Sequence, residues 1–343
     1  MGSLLADIGV TLPVIAAPMA GGPTTPAMVA AAASAGSIGL LAAGYKSPAD
    51  VAEQIRTVRT GASRFGVNLF APNPIAVDPS EYREYVRRME TEAARRGIEL
   101  DLGEPREDDD AWQAKIDLLV HDPVPIVSFT FGVPEVNTIR ALKAAGSVIL
   151  LTVTSAREAE DAVLAGADAL VVQASAAGGH SGTFNPRQTP PELPIGDLLR
   201  SVRSVTRRPL LAAGGMSTPE GVVSALMSGA DAVAVGTALL LTPESGASQT
   251  HKSALVDPRF SQTVVTRAFT GRPARALRND FTRRHTAAAP AGYPALHHLT
   301  GPLRRAAAAA GDPQVLHLWA GTGHAMIPTG NTRDVLAFLS SEV

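Results

Sequence analysis

The chain of 343 residues contains no cysteine. Disulfides, thiolate catalysis, iron–sulfur clusters and zinc ribbons are therefore excluded, and redox chemistry would need a borrowed cofactor. No apolar run approaches the roughly 18 residues of a membrane span, and "MGSLLADIGV" has neither a basic n-region nor a long h-region. It opens like a myristoylation site but carries Ala6 where Ser or Thr is required. These absences lead to the expectation of a cytoplasmic protein without a membrane partner. An excess of positive charge is missing too: 30 Lys and Arg against 32 Asp and Glu leave a net charge of −2, no footprint for nucleic acid. No G-x-x-x-x-G-K-[ST] occurs and no G-x-G-x-x-G follows the first strand, so ATP and a Rossmann-bound dinucleotide recede. "GHSGT" has Thr183 where a nucleophile elbow ends in glycine. His297 and His298 are adjacent without H-E-x-x-H, and no metal site is expected.

What is present is an alternation. "PVIAAPM", "SIGLLAAG", "FGVNLF", "PIVSFTFG", "SVILLTV", "DALVVQ", "PLLAAGG" and "DAVAVGT" are strand-like, and between most of them lie segments with apolar residues at helical spacing, such as "SPADVAEQIRTVR" and "TPEGVVSALMSGA". Near-continuous apolar strands imply burial on both faces, the mark of a parallel sheet wrapped in helices. Eight units predict an α/β fold of the TIM (β/α)8 type over residues 1–245, with an open doubly wound sheet as the alternative. A charged insertion at about 71–113, containing "EYREYVRRMETEAARRGIEL" and "EPREDDD", follows the third strand. Its alternating charges predict one exposed helix and a mobile stretch. Residues 246–343 read as a helical and loop extension packed on the barrel rather than an independent domain.

In a barrel of this type, chemistry belongs at the C-terminal ends of the strands. Those ends carry Ala17, Pro18 and Met19, then Asn68, Thr152, Gln173 and the loop "ASAAGGHSG" with Gly178, Gly179 and His180. The last two carry Gly214 and Gly215, then Gly236 and Thr237. Glycine-flanked N–H groups at two successive helix starts suit a phosphate dianion. A phosphate there would tether a ring system across the barrel mouth, where Asn68 and Gln173 offer the amide donors and acceptors a flavin needs, so FMN fits these parts. Trp319 and Tyr293 are candidates for lining the pocket or for core packing. Arg272, Arg275 and Arg278 give their segment a basic character suited to an anionic substrate or to solvent.

The combination of "PVIAAPMAGG", "FGVNLF", "DALVVQASAAGGHSG", "LLAAGGM", "SGADAVAVGTALLLTPES" and "WAGTG" resembles the nitronate monooxygenase family, formerly 2-nitropropane dioxygenases, in order through nearly the whole chain. The resemblance implies a TIM barrel with non-covalent FMN that oxidises alkyl nitronates, such as propionate 3-nitronate, with O₂. The products would be a carbonyl compound and nitrite, reached by one-electron transfer to flavin. It implies that His180 is the active-site histidine, acting on neutral nitroalkanes as a base or positioning the nitronate. It implies cofactor contacts from Met19, Asn68, Gln173, Gly179, Gly215, Gly236 and Thr237, with Thr152 at a strand end that often varies. An ordinary histidine pKa of ~6.5 would suit the role of base. The chain departs from the family pattern at Thr130, where many members have a second histidine, and at Ala174, Ala176 and Thr322. The alternatives are another FMN oxidoreductase, an NAD(P)H-dependent quinone or enoyl reductase, and an FMN-binding sensor or inactive homologue. Assembly into a homo-oligomer is left open.

Overall fold

The computed structural model describes residues 10–72, 75–100 and 102–343. Residues 1–9, where the targeting signals were sought, and residues 73, 74 and 101 of the insertion lie outside the described residues. The strands in chain order begin with β1 (Val14–Ala16), β2 (Leu40–Ala42), β3 (Gly66–Phe70), β4 (Ile126–Thr130), β5 (Val148–Val153) and β6 (Ala169–Gln173). A two-residue β7 (Gly179–His180) stands apart from them, and β8 (Leu210–Ala213) and β9 (Ala232–Val235) complete the set. Apart from β7 these form one parallel sheet in the order β1-β9-β8-β6-β5-β4-β3-β2, and a parallel bridge between Ala16 and Gly39 brings its two edges together. The eight strand-like runs of the sequence are the eight staves of this TIM-type barrel.

The strands are apolar on both faces because both are buried. Val14, Leu41, Val127, Phe129, Ile149, Leu151 and Val172 face the surrounding helices, while Ile15, Leu40, Ile126, Leu150 and Leu211 fill the interior. Interior residues on β6, β8 and β9 include Ala169, Ala213, Ala232 and Ala234, and side chains this small leave room inside the barrel mouth. Three barrel helices start in the same way: Thr25, Ser47 and Thr218 each accept a backbone N–H within the first turn, and a proline follows at the first helical position. Proline costs no hydrogen bond there, because that N–H has no partner inside the helix.

The insertion departs from its reading as a solvated helix with a mobile stretch. The helix Pro79–Ala94 exposes a Glu84–Arg87 pair on one face but buries Tyr82, Tyr85 and Met89 on the other. Tyr85 Oη donates to Ala268 O at 2.6 Å, and the buried Glu92 carboxylate accepts from Arg96 at 2.8 Å and Arg284 at 2.8 Å. The acidic run is tied down as well. Asp110 accepts from the Tyr45 N–H at 3.0 Å and pairs with buried Lys115 at 2.8 Å, while Asp108 meets His298 at 2.7 Å. Charge alternation alone does not distinguish a solvated face from one whose carboxylates find partners elsewhere in the chain.

The tail contains strands as well as the helices and loops expected of it. In a second sheet β10 (Thr263–Thr266) pairs antiparallel with β11 (Ala274–Leu277), and β11 pairs antiparallel with β7, setting Ala274 opposite His180 and Arg275 opposite Gly179. The Ser181 N–H extends this ladder to Pro273 O at 2.7 Å. The histidine loop is thus an edge on which the tail adds its own strands.

Candidate active site

A cavity of about 530 Å³ opens at the C-terminal ends of the barrel strands, within the size range of small-molecule and cofactor sites. All thirteen residues singled out in the sequence line it: Ala17, Pro18 and Met19 after β1, Asn68 on β3, Thr152 on β5 and Gln173 on β6; then Gly178, Gly179 and His180, Gly214 and Gly215 after β8, and Gly236 and Thr237 after β9. The barrel brings together positions separated by as many as 220 residues in the chain.

The glycines do two different jobs. Gly179 and Gly215 hold φ of +75° and +85°, a region that favours glycine, and an added Cβ at Gly179 would meet nothing within 4 Å. Gly178 is instead demanded by packing of backbone on backbone, and Gly214, at φ +108°, by both. A Cβ at Gly178 would lie 2.5 Å from Gly321 N, and one at Gly214 2.7 Å from Ala177 N. The tail segment "WAGTG" is laced onto the turns after β6 and β9: Gly321 N–H donates to Thr237 Oγ1 at 2.9 Å, and Thr322 N–H donates to Ala176 O at 3.0 Å. Ala176 and Thr322 therefore meet each other here. Thr237 opens a short 3-10 turn with Gly236 before it, so the first N–H groups of that turn have no partner within it.

The two amides are already engaged by protein. Gln173 Nε2 donates to His180 O at 3.1 Å and Gln173 Oε1 accepts the Gly182 N–H at 2.7 Å, which clamps the histidine loop from both ends. Asn68 Nδ2 donates to Ser128 Oγ at 2.8 Å and to Thr130 Oγ1 at 3.0 Å. Thr130 thus joins a polar row on adjacent strands with Asn68 and, at 3.4 Å, Thr152. Glu158 holds the far end of the same loop, accepting from Thr183 Oγ1 at 2.9 Å and Phe184 N at 2.7 Å.

His180 Nε2 lies 2.9 Å from Thr270 Oγ1, and the ring is surrounded by Phe131, Tyr293 and Trp319. Burial, together with the positive charges of Arg272 and Arg304, lowers its pKa to about 3. This corrects the expectation of an ordinary histidine value: the imidazole is neutral over the working pH range, as a weaker base than the sequence suggested. Arg272 is fully buried and lies 3.9 Å over the Phe131 ring, with Thr183 O as an acceptor. Arg275 is buried too and reaches Ser175 O at 2.6 Å and Glu192 at 3.0 Å. The basic character of that segment is mostly interior.

Sequence reading missed one wall of the cavity. The helix Ala295–Ala309 presents His297, Gly301, Arg304, Arg305 and Ala308 to it, spaced as one helical face. Tyr45 joins them from the loop after β2, its ring stacked on His297 at 4.1 Å. Periodicity could have found this face, but only with the knowledge that it looked into a site rather than a core.

A family model described as nitronate monooxygenase matches residues 2–340. The chain belongs to the nitronate monooxygenase family. Members are flavin-dependent oxidoreductases, and this chain is an enzyme of that kind. A probable nitronate monooxygenase of Staphylococcus aureus strain Newman is 32% identical over 342 residues, covering 98% of this chain and 95% of the relative. The solved nitroalkane oxidase from Streptomyces ansochromogenes is 43% identical with a TM-score of 0.93, covering 99% of this chain and 97% of that one. FabK from Thermotoga maritima is 25% identical with a TM-score of 0.77, covering 98% and 94%. This nitronate monooxygenase family member has Thr130, Ala174, Ala176 and Thr322 in or beside the strand-end and tail segments that frame the site.

Proposed function

We propose that the protein binds FMN in this cavity and oxidises small alkyl nitronates with O₂ to a carbonyl compound and nitrite. The observation that carries this reading is the convergence of His180 and the glycine turns after β8 and β9 on one cavity. Backbone N–H groups at Gly214, Gly215, Gly236 and Thr237 would hold the phosphate, with Met19, Asn68, Thr152 and Gly179 along the ring and Ala17, Pro18 and Gly178 completing the wall. Left-handed φ at Gly215 and the open space beside Gly179 fit a group that approaches the backbone closely. Bound FMN supplies the one-electron oxidation for which the chain has no group of its own. The nitroalkane oxidase from Streptomyces supports nitro compounds as the substrate class.

The chain's own contribution is binding, orientation and proton control. A neutral His180 places no positive charge of its own on the nitronate, but it accepts a proton from a neutral nitroalkane at a ring nitrogen as the anion forms beside it. Buried Arg272 and Arg304 favour that anion electrostatically. Gln173 and Glu158 keep the histidine where it is. The tail works as part of the same unit, since β11 pairs with β7. No helix among the described residues is long and apolar enough to cross a membrane.

The test is oxygen uptake by flavin-loaded protein given propionate 3-nitronate without NAD(P)H. Rapid uptake with release of nitrite is expected. No uptake, with NAD(P)H oxidised in the presence of a quinone or enoyl thioester, would replace this reading by a reductase.

A further inference from the structure

The His180 ring has one hydrogen-bond partner among the described residues, Thr270, whose Oγ1 lies 2.9 Å from Nε2. No carboxylate stands behind the imidazole: the histidine–carboxylate pairs among the described residues are His285–Glu92 and His298–Asp108. Nδ1 makes no hydrogen bond among the described residues, yet it is not one of the buried polar atoms left without a partner. It therefore opens on the cavity, which His180 and Thr270 both line. Thr270 is 1% exposed, and the turn that carries it, between β10 and β11, is pinned by the insertion, by the helix Ala295–Ala309 and by the segment before that helix. Tyr85 Oη donates to Ala268 O at 2.6 Å, Thr300 Oγ1 donates to Phe269 O, and Gly292 N–H donates to Gly271 O at 3.1 Å. Gly271 holds φ +80°, and a Cβ there would lie 2.5 Å from Gly292 C. His180 rides on the same hairpin, paired with Ala274 in β11 and held at its carbonyl by Gln173 Nε2 at 3.1 Å. Hydroxyl and ring are thus fixed against each other by parts of the chain that are far apart in sequence.

A neutral imidazole has one N–H, and the partner of one ring nitrogen decides the state of the other. A hydroxyl either donates or accepts. If Thr270 accepts, the hydrogen sits on Nε2 and the Nδ1 lone pair faces the cavity as a base; if Thr270 donates, Nδ1 carries the hydrogen and can take no proton. Arg304, a cation lining the same cavity, favours a lone pair over an N–H turned toward that space. We infer that Thr270 is a positioning residue that accepts from His180 Nε2–H and so makes Nδ1 the nitrogen that deprotonates neutral nitroalkanes. The inference rests on the proposed oxidation for the identity of the substrate. As the C–H bond breaks, its electron pair stays on the substrate as the nitronate and the proton forms a new bond to Nδ1. The hydrogen bond from Nε2–H to Oγ1 then becomes charge-assisted and strengthens, stabilising the imidazolium where no carboxylate does. A nitronate that arrives preformed has no such proton to give, and its oxidation depends on Thr270 far less.

The experiment compares T270V, which keeps the shape and removes the hydroxyl, and T270S, which keeps the hydroxyl, with the parent protein, all flavin-loaded. The ratio of kcat/KM for nitroethane to that for ethyl nitronate should fall about 10–100-fold in T270V, the scale of a hydrogen bond to a charged group, and return close to the parent ratio in T270S. The isotope effect on kcat/KM for nitroethane deuterated at its reacting carbon should rise in T270V, because proton removal becomes the slow step. Independently of turnover, nitrogen NMR of protein with isotope-labelled histidine, with H180A locating the signal, should show the His180 hydrogen on Nε2 in the parent and moved toward Nδ1 in T270V. A hydrogen found on Nδ1 of the parent would overturn the inference, as would an equal loss on both substrates in T270V or a T270S variant no better than T270V. A parent that oxidised ethyl nitronate but not nitroethane would overturn it too and leave nitronate oxidation intact. If the parent oxidised no nitro compound while the tautomer still followed the hydroxyl, the positioning of His180 by Thr270 would stand and the proposed reaction would fall.

Discussion

The turns after β8 and β9 and the helix Ala295–Ala309 line the same cavity, yet they offer it different material. The turns present backbone: Gly214, Gly215 and Gly236 bring main-chain groups to the surface of the cavity, and the tail's Gly321 is stitched to them through Thr237. The helix presents side chains, with Arg304 and His297 joined by Tyr45 from another loop. Backbone donors have fixed direction and no titration, so that wall suits a phosphate, which every substrate cycle meets in the same form. Buried ionisable side chains are sensitive to volume and pH, and that wall suits discrimination between substrates. The lesson is that one pocket can be constant on one side and adjustable on the other.

The largest effect separating the two walls should come from His180, which belongs to neither. H180A is expected to keep its flavin and to lose roughly 10²–10⁴-fold in turnover of neutral nitroalkanes, the usual weight of a general base, with a smaller loss on preformed nitronates. Flavin absorbance alongside nitrite release from each substrate class reads this directly. Parallel loss of flavin and of both activities would make the histidine structural. The backbone wall is probed next by G214V, where a side chain at φ +108° would also press on Ala177 N at 2.7 Å. A cost of roughly 3 kcal/mol or more is expected from strain and overpacking together, seen as a lower Tm and flavin-poor protein. G179A carries only the strain of its φ and should lose about 1–2 kcal/mol; similar Tm values for the two variants would contradict the packing argument.

The side-chain wall should show itself in acid. His180 and His251 have pKa values lowered to about 3 and about 4 by burial, and His297 to about 2. The unfolded chain protonates these histidines near pH 6.5 while the folded chain does not. The unfolded state therefore binds more protons below that pH, and stability that is full above it drains away as pH falls toward the folded values. About 1–2 kcal/mol per histidine should be lost between pH 7 and 5, less where the cavity is hydrated. Urea midpoints across that range would test it, and a flat profile above pH 5 would contradict the assignment of buried neutral rings. The smallest change is T237V, which removes the acceptor for Gly321 N–H and should cost about 1 kcal/mol, loosening flavin binding more than nitronate selectivity.

Much of the backbone wall could be read from the chain alone, because glycine at the end of an apolar run is a local signal. "AAGGM" and "VGTALL" each mark a strand end and a helix start within a few residues, and both reach the cavity as expected. The same signal did not distinguish Gly215, which faces the cavity in a left-handed conformation, from Gly178, whose missing side chain is required by Gly321. That distinction depends on a contact between residues more than a hundred positions apart. The amides show the same limit. Gln173 and Asn68 are cavity residues as read, but whether an amide meets a cofactor or pins a loop depends on neighbours that only folding supplies. Arg304 and Tyr45 gave no warning, since a helical arginine and a loop tyrosine are ordinarily solvated or packed.

The sequence by itself determined the eight strand-like runs and the positions of the strand ends, because two-sided burial and helix starts are written in short periodic patterns, while the closure of the sheet into a barrel rather than an open sheet was decided by pairing. Tertiary structure decided which charges are interior. Glu92, Lys115, Arg272 and Arg304 differ little in local sequence from solvated neighbours, and their burial follows from long-range packing of the insertion and the tail. The protonation state of His180 was settled in the same way, since it is set by exclusion of water and by the field of two distant arginines rather than by the glycines beside it.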